Sequence, residues 1–343
     1  MRIVIFWEGL PACGLLLNGL VAEGKHSITV YATKPTVPFS NLEKFAFFNV
    51  NFVKNGKDFI QKVNLNNYDV MVYTGWRHRD ILKVARKQKS LIRIMAVDNS
   101  NKGNVRQFIG KYLFKYYYKR SCDAVIVPGI SSRTLMRNFG VEKSHIWQGY
   151  YGAYSKIYFD DKRLKKKDFL FVGSLTIRKG FDNLINAFRE FKRRFPGSDT
   201  KLHVIGEGNL SQLTRGMNDV VMHGFLQPEE VAEYMREHYF LIAPSRLDHW
   251  CTAVCEGAAC GQYIITTTET GAYHDIVIEG LNGVSVDSVR QLSEQIENCI
   301  NMSQTELDLA RSVSVSISAS FTEKVYASSI NKIIKQHADI LTN

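Results

Sequence analysis

Short runs of β-branched and aromatic residues alternate with longer helical stretches along this chain, and the alternation runs once, stops and begins again. The first series is 2–6, 27–33, 49–53, 70–74, 91–97, 124–128 and 145–148, with amphipathic stretches such as 15–23 and 79–89 between its members. The run 91–97 is apolar apart from Arg93, as a strand covered on both faces must be. Alternating β and α units predict a parallel sheet with helices on both sides. A turn-rich basic stretch, 149–167, then interrupts the pattern with Lys162-Arg163-Leu164-Lys165-Lys166-Lys167. A second series follows at 168–172, 201–205, 220–223, 239–243, 263–267 and 283–286.

The restart predicts an α/β chain of two doubly wound domains. The expected boundaries are an N-terminal domain over 1–155, a linker over 156–167, a second domain over 168–320, and a C-terminal helix over 321–343 returning toward the first domain. That helix shows Val325, Ile330, Ile333, Ile334 and Ile340 at helical spacing. Open parallel sheets bind ligands outside the carboxyl ends of their strands. Two such domains facing one another would hold two substrates in one cleft.

Four loops of the second half carry candidate chemistry. Phe171-Val172-Gly173-Ser174-Leu175-Thr176-Ile177-Arg178-Lys179-Gly180 leads from a strand into a helix. Its glycines, its cations and the helix start suit a phosphate, and an ordinary βα turn with solvated cations would look the same. Gly206-Glu207-Gly208 follows the next strand, where glycine permits either close approach of a ligand or a turn with positive φ. In Pro244–Gly261, Asp248 and Glu256 stand eight positions apart, one in a loop and one in the following helix. Ionised carboxylates suit sugar or ribose diols; a capping Asp and a solvated Glu are the plain alternative. Thr270-Gly271-Ala272 opens another helix and would offer backbone N–H groups to a ligand.

Composition sets the surroundings for these loops. Lys and Arg number 44 against 33 Asp and Glu, a net charge of +11 over 343 residues. That balance favours phosphate, nucleic acid or anionic lipid, and the absence of any recognisable nucleic-acid module sets the second aside. Met1-Arg2 leads straight into Ile3-Val4-Ile5-Phe6, too short for a signal-peptide core, and no run reaches the ~18 apolar residues of a membrane span. A cytoplasmic location is therefore expected. Six cysteines include no Cys-x-x-Cys pair and read as reduced thiols. Cys251, Cys255 and Cys260 near His249 match no zinc spacing, so no metal site is expected. The stretch 102–120 interleaves Lys102, Arg106, Lys111, Lys115, Lys119 and Arg120 with Phe108, Ile109, Tyr112, Leu113, Phe114, Tyr116, Tyr117 and Tyr118. It reads either as a helix on an anionic membrane surface or as a core helix with a charged outer face.

Taken in order, the four loops resemble the C-terminal domain of the family-4 retaining glycosyltransferases of the GT-B fold. The resemblance covers 168–287 well and 1–159 more loosely, through Gly24-Lys25-His26-Ser27-Ile28-Thr29-Val30 and Tyr68-Asp69-Val70…Gly75-Trp76. It implies two Rossmann-like domains about a central cleft, with a nucleotide-sugar donor bound by Gly173, Ser174, Arg178, Lys179, Gly206, Glu207, Asp248, Glu256, Gly271 and Ala272. Lys179 matches the lysine on the donor diphosphate. Ser174 stands where the family often has arginine, and Arg178 would supply that charge. Glu256 matches the ribose-binding second glutamate of the Glu-x7-Glu motif; Asp248 matches the first, one methylene shorter. Asp98 stands where many members carry a catalytic-site histidine, so the implied catalytic set is Asp98, Lys179 and Asp248. Acceptor contacts are expected from Gly9, Trp76, His78 and Asn99, although His78 also fits a basic surface loop.

The implied reaction is retaining transfer of a sugar from a nucleoside diphosphate to a saccharide or polyprenyl-diphosphate-linked acceptor, in cell-surface polysaccharide synthesis. No cofactor is implied, and with no Asp-x-Asp motif no metal. A GT-B-like nucleotide-sugar epimerase and a non-catalytic nucleotide-sugar-binding subunit fit the same donor residues.

Overall fold

A computed structural model describes residues 1–10, 12–34, 40 and 44–341. The chain divides into two units, one of Met1–Gly152 with Phe321–Asn343 and the other of Ala153–Ser320. In the first, β1 (Arg2–Trp7), β2 (Ser27–Ala32), β3 (Val50–Phe52), β4 (Val70–Thr74), β5 (Ile92–Ala96), β6 (Ala124–Val127) and β7 (Ile146–Gln148) form one parallel sheet in the order β3-β2-β1-β4-β5-β6-β7. Alternate residues of β1 feed opposite faces: Ile3, Ile5 and Trp7 join one core, Val4 and Phe6 the other. This two-sided burial explains why the strands read as continuous apolar runs.

The second unit repeats the plan with β8 (Lys166–Val172), β9 (Leu202–Ile205), β10 (Val220–Gly224), β11 (His238–Ala243), β12 (Tyr263–Thr266) and β13 (Gly283–Ser285), ordered β10-β9-β8-β11-β12-β13 and parallel throughout. Strand order reverses between β1 and β4 in one sheet and between β8 and β11 in the other. Those switch points are where such sheets receive ligands.

Three local expectations change. The stretch 156–167 is no connector. Ile157 and Tyr158 are buried in the second unit, and β8 begins inside the basic run. Lys165, in the middle of that run, is itself buried, and its ammonium donates to the carbonyls of Met235, Arg236 and Cys260 at 3.1, 2.8 and 2.8 Å. Burial pushes its pKa down to about 8. Three carbonyls match the three donors of an ammonium, so a cation that sequence places in water closes a buried corner.

The C-terminal helix runs only over Glu323–Gln336, before a short turn at Ala338–Leu341. It packs its Tyr326, Ala327, Ile330 and Ile333 into the core of the first unit. The amphipathic stretch 15–23 is a 3-10 turn followed by α1 (Asn18–Ala22). Gly19 lies there because a Cβ would stand 2.1 Å from the Glu323 carbonyl oxygen.

Candidate active site

In the second unit the loop 173–180 leaves β8 and the loop 244–251 leaves β11, on either side of the reversal in strand order. The neighbouring loops after β9 and β12 complete a row of four. Backbone hydrogen bonds lace the row together. Gly173 N–H donates to the Ile205 carbonyl at 3.0 Å, Leu175 N–H to Glu207 at 2.9 Å and Arg246 N–H to Arg178 at 2.9 Å. Gly271 N–H donates to Asp248 at 2.9 Å and Ala272 N–H to Trp250 at 2.8 Å.

Two glycines are forced by this closeness. Gly180, at φ +68°, begins the helix Phe181–Arg194, and a Cβ there would stand 1.9 Å from the Pro244 carbonyl oxygen. Gly206, at φ +135°, has the Gly173 carbonyl oxygen 2.0 Å from where its Cβ would be. The amides of Gly173, Gly206, Gly271 and Ala272 all have carbonyl partners within the protein. The expectation that the 270–272 loop offers these N–H groups to a ligand is therefore corrected: the loop braces the Asp248 loop instead.

With those amides engaged, side chains carry the electrostatics. The Lys179 ammonium is hydrogen-bonded to Asp248 Oδ2, with side chains only 17% and 12% exposed. Burial disfavours the Lys179 charge, but Cys251 and the Asp248 carboxylate more than offset that and raise its pKa. Burial likewise opposes ionisation of Asp248, and Lys179 and Arg178 outweigh it and hold the carboxyl below its ordinary value. Both groups stay charged. Arg178 is exposed beside them, one guanidinium nitrogen donating to the Leu247 carbonyl at 3.1 Å.

Glu256 sits on the helix Thr252–Ala259, buried, and its environment pushes its pKa up to about 7. Burial is the cause, opposed by a hydrogen bond from Tyr158 and by the charge of Lys179. Sequence reasoning treated this carboxyl as ionised; in the folded chain it titrates near neutrality. Ser174 and Glu207 are exposed on the flanking loops.

Cys251 was missed as part of this site. It is buried, lies at φ +70° just before the Glu256 helix, and interacts electrostatically with both Lys179 and Asp248. A side chain in the left-handed region costs about 1–3 kcal/mol and persists only where its surroundings hold it. No residue type near Cys251 announces that conformation.

The first unit has its own concavity at its switch point, about 460 Å³ in volume, lined by Glu8, Thr74, Gly75, Trp76, Arg77, Ala96, Asp98, Asn99, Tyr150 and Tyr151. Tyr151 OH donates to Asp98 Oδ2 at 3.2 Å, and Tyr150 stacks on Tyr151 with centroids 4.3 Å apart. Asp98, Trp76 and Asn99 are thus brought together. Gly9 and His78, expected as acceptor contacts, are not among the lining residues. Gly9 lies at φ +56° and its N–H donates to Thr33 Oγ1 at 2.6 Å. His78 packs edge-on against Phe6 at 5.0 Å with its Nε2 3.2 Å from Glu8 Oε2. Glu8 itself, which also pairs with Arg77 at 2.8 Å, carries no sequence signal beyond following a strand.

The stretch 102–120 is not one regular helix. It is α-helical over Val105–Leu113, widens to a π turn over Phe114–Tyr118 and ends in a 3-10 turn. The widened turn swings Phe114 into the core, while Phe108, Ile109, Tyr112, Leu113 and Tyr116 remain half or more exposed. No described helix is long and apolar enough to cross a membrane.

Residues 156–313 match the family described as Glycosyl transferases group 1, so the second unit carries a domain of that family. The chain is 28% identical over 200 residues to an uncharacterized glycosyltransferase, MJ1178, of Methanocaldococcus jannaschii, covering 56% of this chain and 53% of that protein. It is 27% identical over 180 residues to a GDP-mannose-dependent alpha-mannosyltransferase of Corynebacterium glutamicum, covering 49% and 41%. The chain thus spans about half the length, or less, of the curated relatives it matches. Among solved structures, Anabaena HepE in complex with UDP superposes over 100% of both chains with a TM-score of 0.72 at 15% identity. The fold is that of the GT-B glycosyltransferases, two Rossmann-like parallel-sheet domains.

Proposed function

We propose that the protein is a retaining glycosyltransferase that takes a sugar from a nucleoside diphosphate and delivers it to the hydroxyl of a saccharide or lipid-linked acceptor. The observation that carries this reading is the half-buried Lys179–Asp248 pair at the β8/β11 switch point, with the buried Glu256 carboxyl in the same electrostatic neighbourhood. The diphosphate would displace Asp248 as the partner of Lys179 and gain Arg178 at its outer side. Charge builds on that leaving group in the transition state, where a cation in a site of low dielectric acts most strongly. Asp248, released, would accept a hydroxyl of the donor sugar, and Glu256 the ribose diol. This leaving-group role needs no metal, in line with the lack of an Asp-x-Asp motif. Asp98, oriented by Tyr151, would position the acceptor. We assign no protein nucleophile.

The solved neighbour with UDP and the GDP-mannose-dependent relative make UDP and GDP sugars the first donors to try. The exposed apolar and basic helix Val105–Leu113 fits a peripheral position on the cytoplasmic face of a membrane, where a polyprenyl-linked acceptor of polysaccharide synthesis would be met. The experiment is a nucleotide-sugar panel scored by melting temperature, then by release of nucleoside diphosphate with and without acceptor, and by NMR of the new anomeric centre. Transfer predicts acceptor-dependent release with retained configuration. Donor turnover without an acceptor would point to an epimerase, and binding without turnover to a non-catalytic subunit.

A further inference from the structure

At the opposite, amino-terminal ends of the second sheet, three neighbouring strands bring together groups that the donor chemistry does not use. Asp168 lies on β8, His203 on β9 and His238 at the start of β11. One donor atom from each lies within 4.8 Å of both others. We propose that Asp168, His203 and His238 form a binding site for a divalent transition-metal ion of the zinc type, remote from the nucleotide loops.

The hydrogen bonds around the three residues favour a ligating arrangement. His238 is fully buried, and its Nδ1 lies 2.7 Å from the Tyr234 carbonyl oxygen. Since a carbonyl only accepts, Nδ1 carries the proton and Nε2 a lone pair. That Nε2 is buried with no hydrogen-bond partner. An orphaned buried acceptor is costly, whereas the same lone pair on a metal is satisfied.

His203 also has a partner at its second nitrogen. Its Nδ1 is 3.0 Å from His223 Nε2, and His223 Nδ1 is 3.1 Å from Tyr234 OH. In the tautomer where His203 Nδ1–H donates to His223 and His223 Nδ1–H to Tyr234, the one a metal would select, His203 Nε2 is unprotonated, 3.8 Å from Asp168 Oδ2. Asp168 uses its other oxygen, Oδ1, to accept from Lys201 N–H at 2.8 Å. Each histidine thus has its second nitrogen held by a partner that orients the first, as metal-ligating histidines do.

Tetrahedral zinc with bonds of about 2.0–2.2 Å needs its donors about 3.3–3.6 Å apart, so the cluster would close by roughly 1 Å. Asp168, its side chain 20% exposed, borders a depression of about 540 Å³ that leaves a route in and a fourth position for water. Lysines stand at its rim. Of these, Lys166 pairs with Glu237 at 3.2 Å, and Lys167 donates to the carbonyls of Ile300 and Met302. An anion in the cluster would face a carboxylate and two lone pairs, so a cation is the occupant the donor set selects. Two imidazoles and one carboxylate suit zinc, cobalt or iron(II) more than magnesium or calcium.

The test uses the full chain, stripped with a chelator and exchanged into metal-free buffer. Zn²⁺ is titrated by calorimetry, and Co²⁺ is followed by its visible absorption, whose intensity reports four-coordinate geometry. The site predicts one tight equivalent, a rise in Tm on adding zinc, and imidazole-type Co²⁺ bands without the thiolate charge-transfer absorption that cysteine ligation would give. Asp168→Asn, which can still accept from Lys201, and His203→Gln should each weaken binding at least tenfold while keeping the wild-type circular dichroism spectrum. Absence of micromolar binding to the folded wild-type chain would overturn the proposal. So would undiminished binding by both folded variants, or thiolate bands, which would place the metal on cysteines. None of these readouts depends on the glycosyltransferase reading.

Discussion

The two units share one plan, yet they treat their switch points differently. In the second, four loops are laced by backbone hydrogen bonds, glycines sit where no Cβ fits, and the Lys179–Asp248 pair is mostly withdrawn from water. In the first, the concavity is bounded by Glu8, Arg77, Asp98 and two stacked tyrosines, with groups that can rotate. Gly9 and Gly24, although at positive φ, have nothing within 4 Å of an added Cβ. A rigid cradle suits a ligand part that never changes, such as a nucleoside diphosphate. A looser one suits a partner that differs from one protein to the next.

The largest effect should follow removal of the central cation. Lys179→Ala leaves Asp248 buried without its partner, and breaking such a pair costs about 3–5 kcal/mol when fully buried, less here for the residual exposure. Turnover should fall by roughly 100-fold or more, with a smaller loss in donor affinity. Equal kinetics for mutant and wild type would remove Lys179 from the reaction and erase the contrast between the units. Activity should survive a chelator, even where Tm falls through loss of a metal at the amino end of the sheet.

Next in size is a matched pair of glycine replacements. Gly180→Ala places a methyl group against the Pro244 carbonyl at a left-handed position and should cost about 3–4 kcal/mol. Gly9→Ala meets only the φ penalty, about 1 kcal/mol. Urea midpoints for the two variants would sharpen the comparison if they separate, and break it if they coincide.

Glu256 offers a comparison by pH. Its folded pKa of about 7 stands above the ordinary carboxyl value of 4.5, so the folded state holds a proton that the unfolded chain releases. That contribution is fully present below about pH 4.5 and is lost as pH rises through 7. It amounts to about 3 kcal/mol, at 1.4 kcal/mol per unit. Glu256→Gln should therefore melt near wild type at pH 4.5 and above it at pH 8. It should also lose most nucleotide binding, whereas wild-type affinity should rise between pH 6 and 8 as the carboxyl ionises. A variant that melts below wild type at both pH values would refute the buried, neutral carboxyl.

The smallest effect belongs to the first unit's surface. Lys111, Lys115 and Lys119 flank the exposed aromatics, and each basic residue near an anionic membrane is worth about 1 kcal/mol. Replacing all three with Glu should abolish sedimentation with anionic liposomes at low salt while donor binding persists. Equal binding to neutral and anionic liposomes would remove the membrane role.

Strands were readable in the sequence because parallel strands buried on both faces are uninterrupted apolar runs, and β4 was placed to the residue. The order of Lys179, Asp248 and Glu256 was readable because the first two lie in loops that follow a strand and the third on the helix that comes next. What could not be read depends on distant partners. Lys165 looks solvated until the carbonyls of Met235, Arg236 and Cys260 arrive. The engaged amides of Gly271 and Ala272 require the carbonyls of Asp248 and Trp250 in the loop before the preceding helix. The π turn at Phe114–Tyr118 interrupts a helical pattern that sequence periodicity continues through, because burying Phe114 outweighs regularity. His203 and His238 are separated by α and β elements, and no spacing rule joins them.

The first unit is written in two pieces, with the whole of the second unit between them. During synthesis, β1, β2 and α1 leave the ribosome early, but Tyr326, Ile330 and Ile333, which complete the core they share, leave last. At about 5–20 residues per second the wait over roughly 300 residues is about fifteen to sixty seconds. The second unit, being continuous, can finish folding within that interval; the first cannot. The nascent chain must therefore carry an uncovered apolar sheet face through most of its own translation, and a holding chaperone would find its binding surface there rather than in the half that was made later.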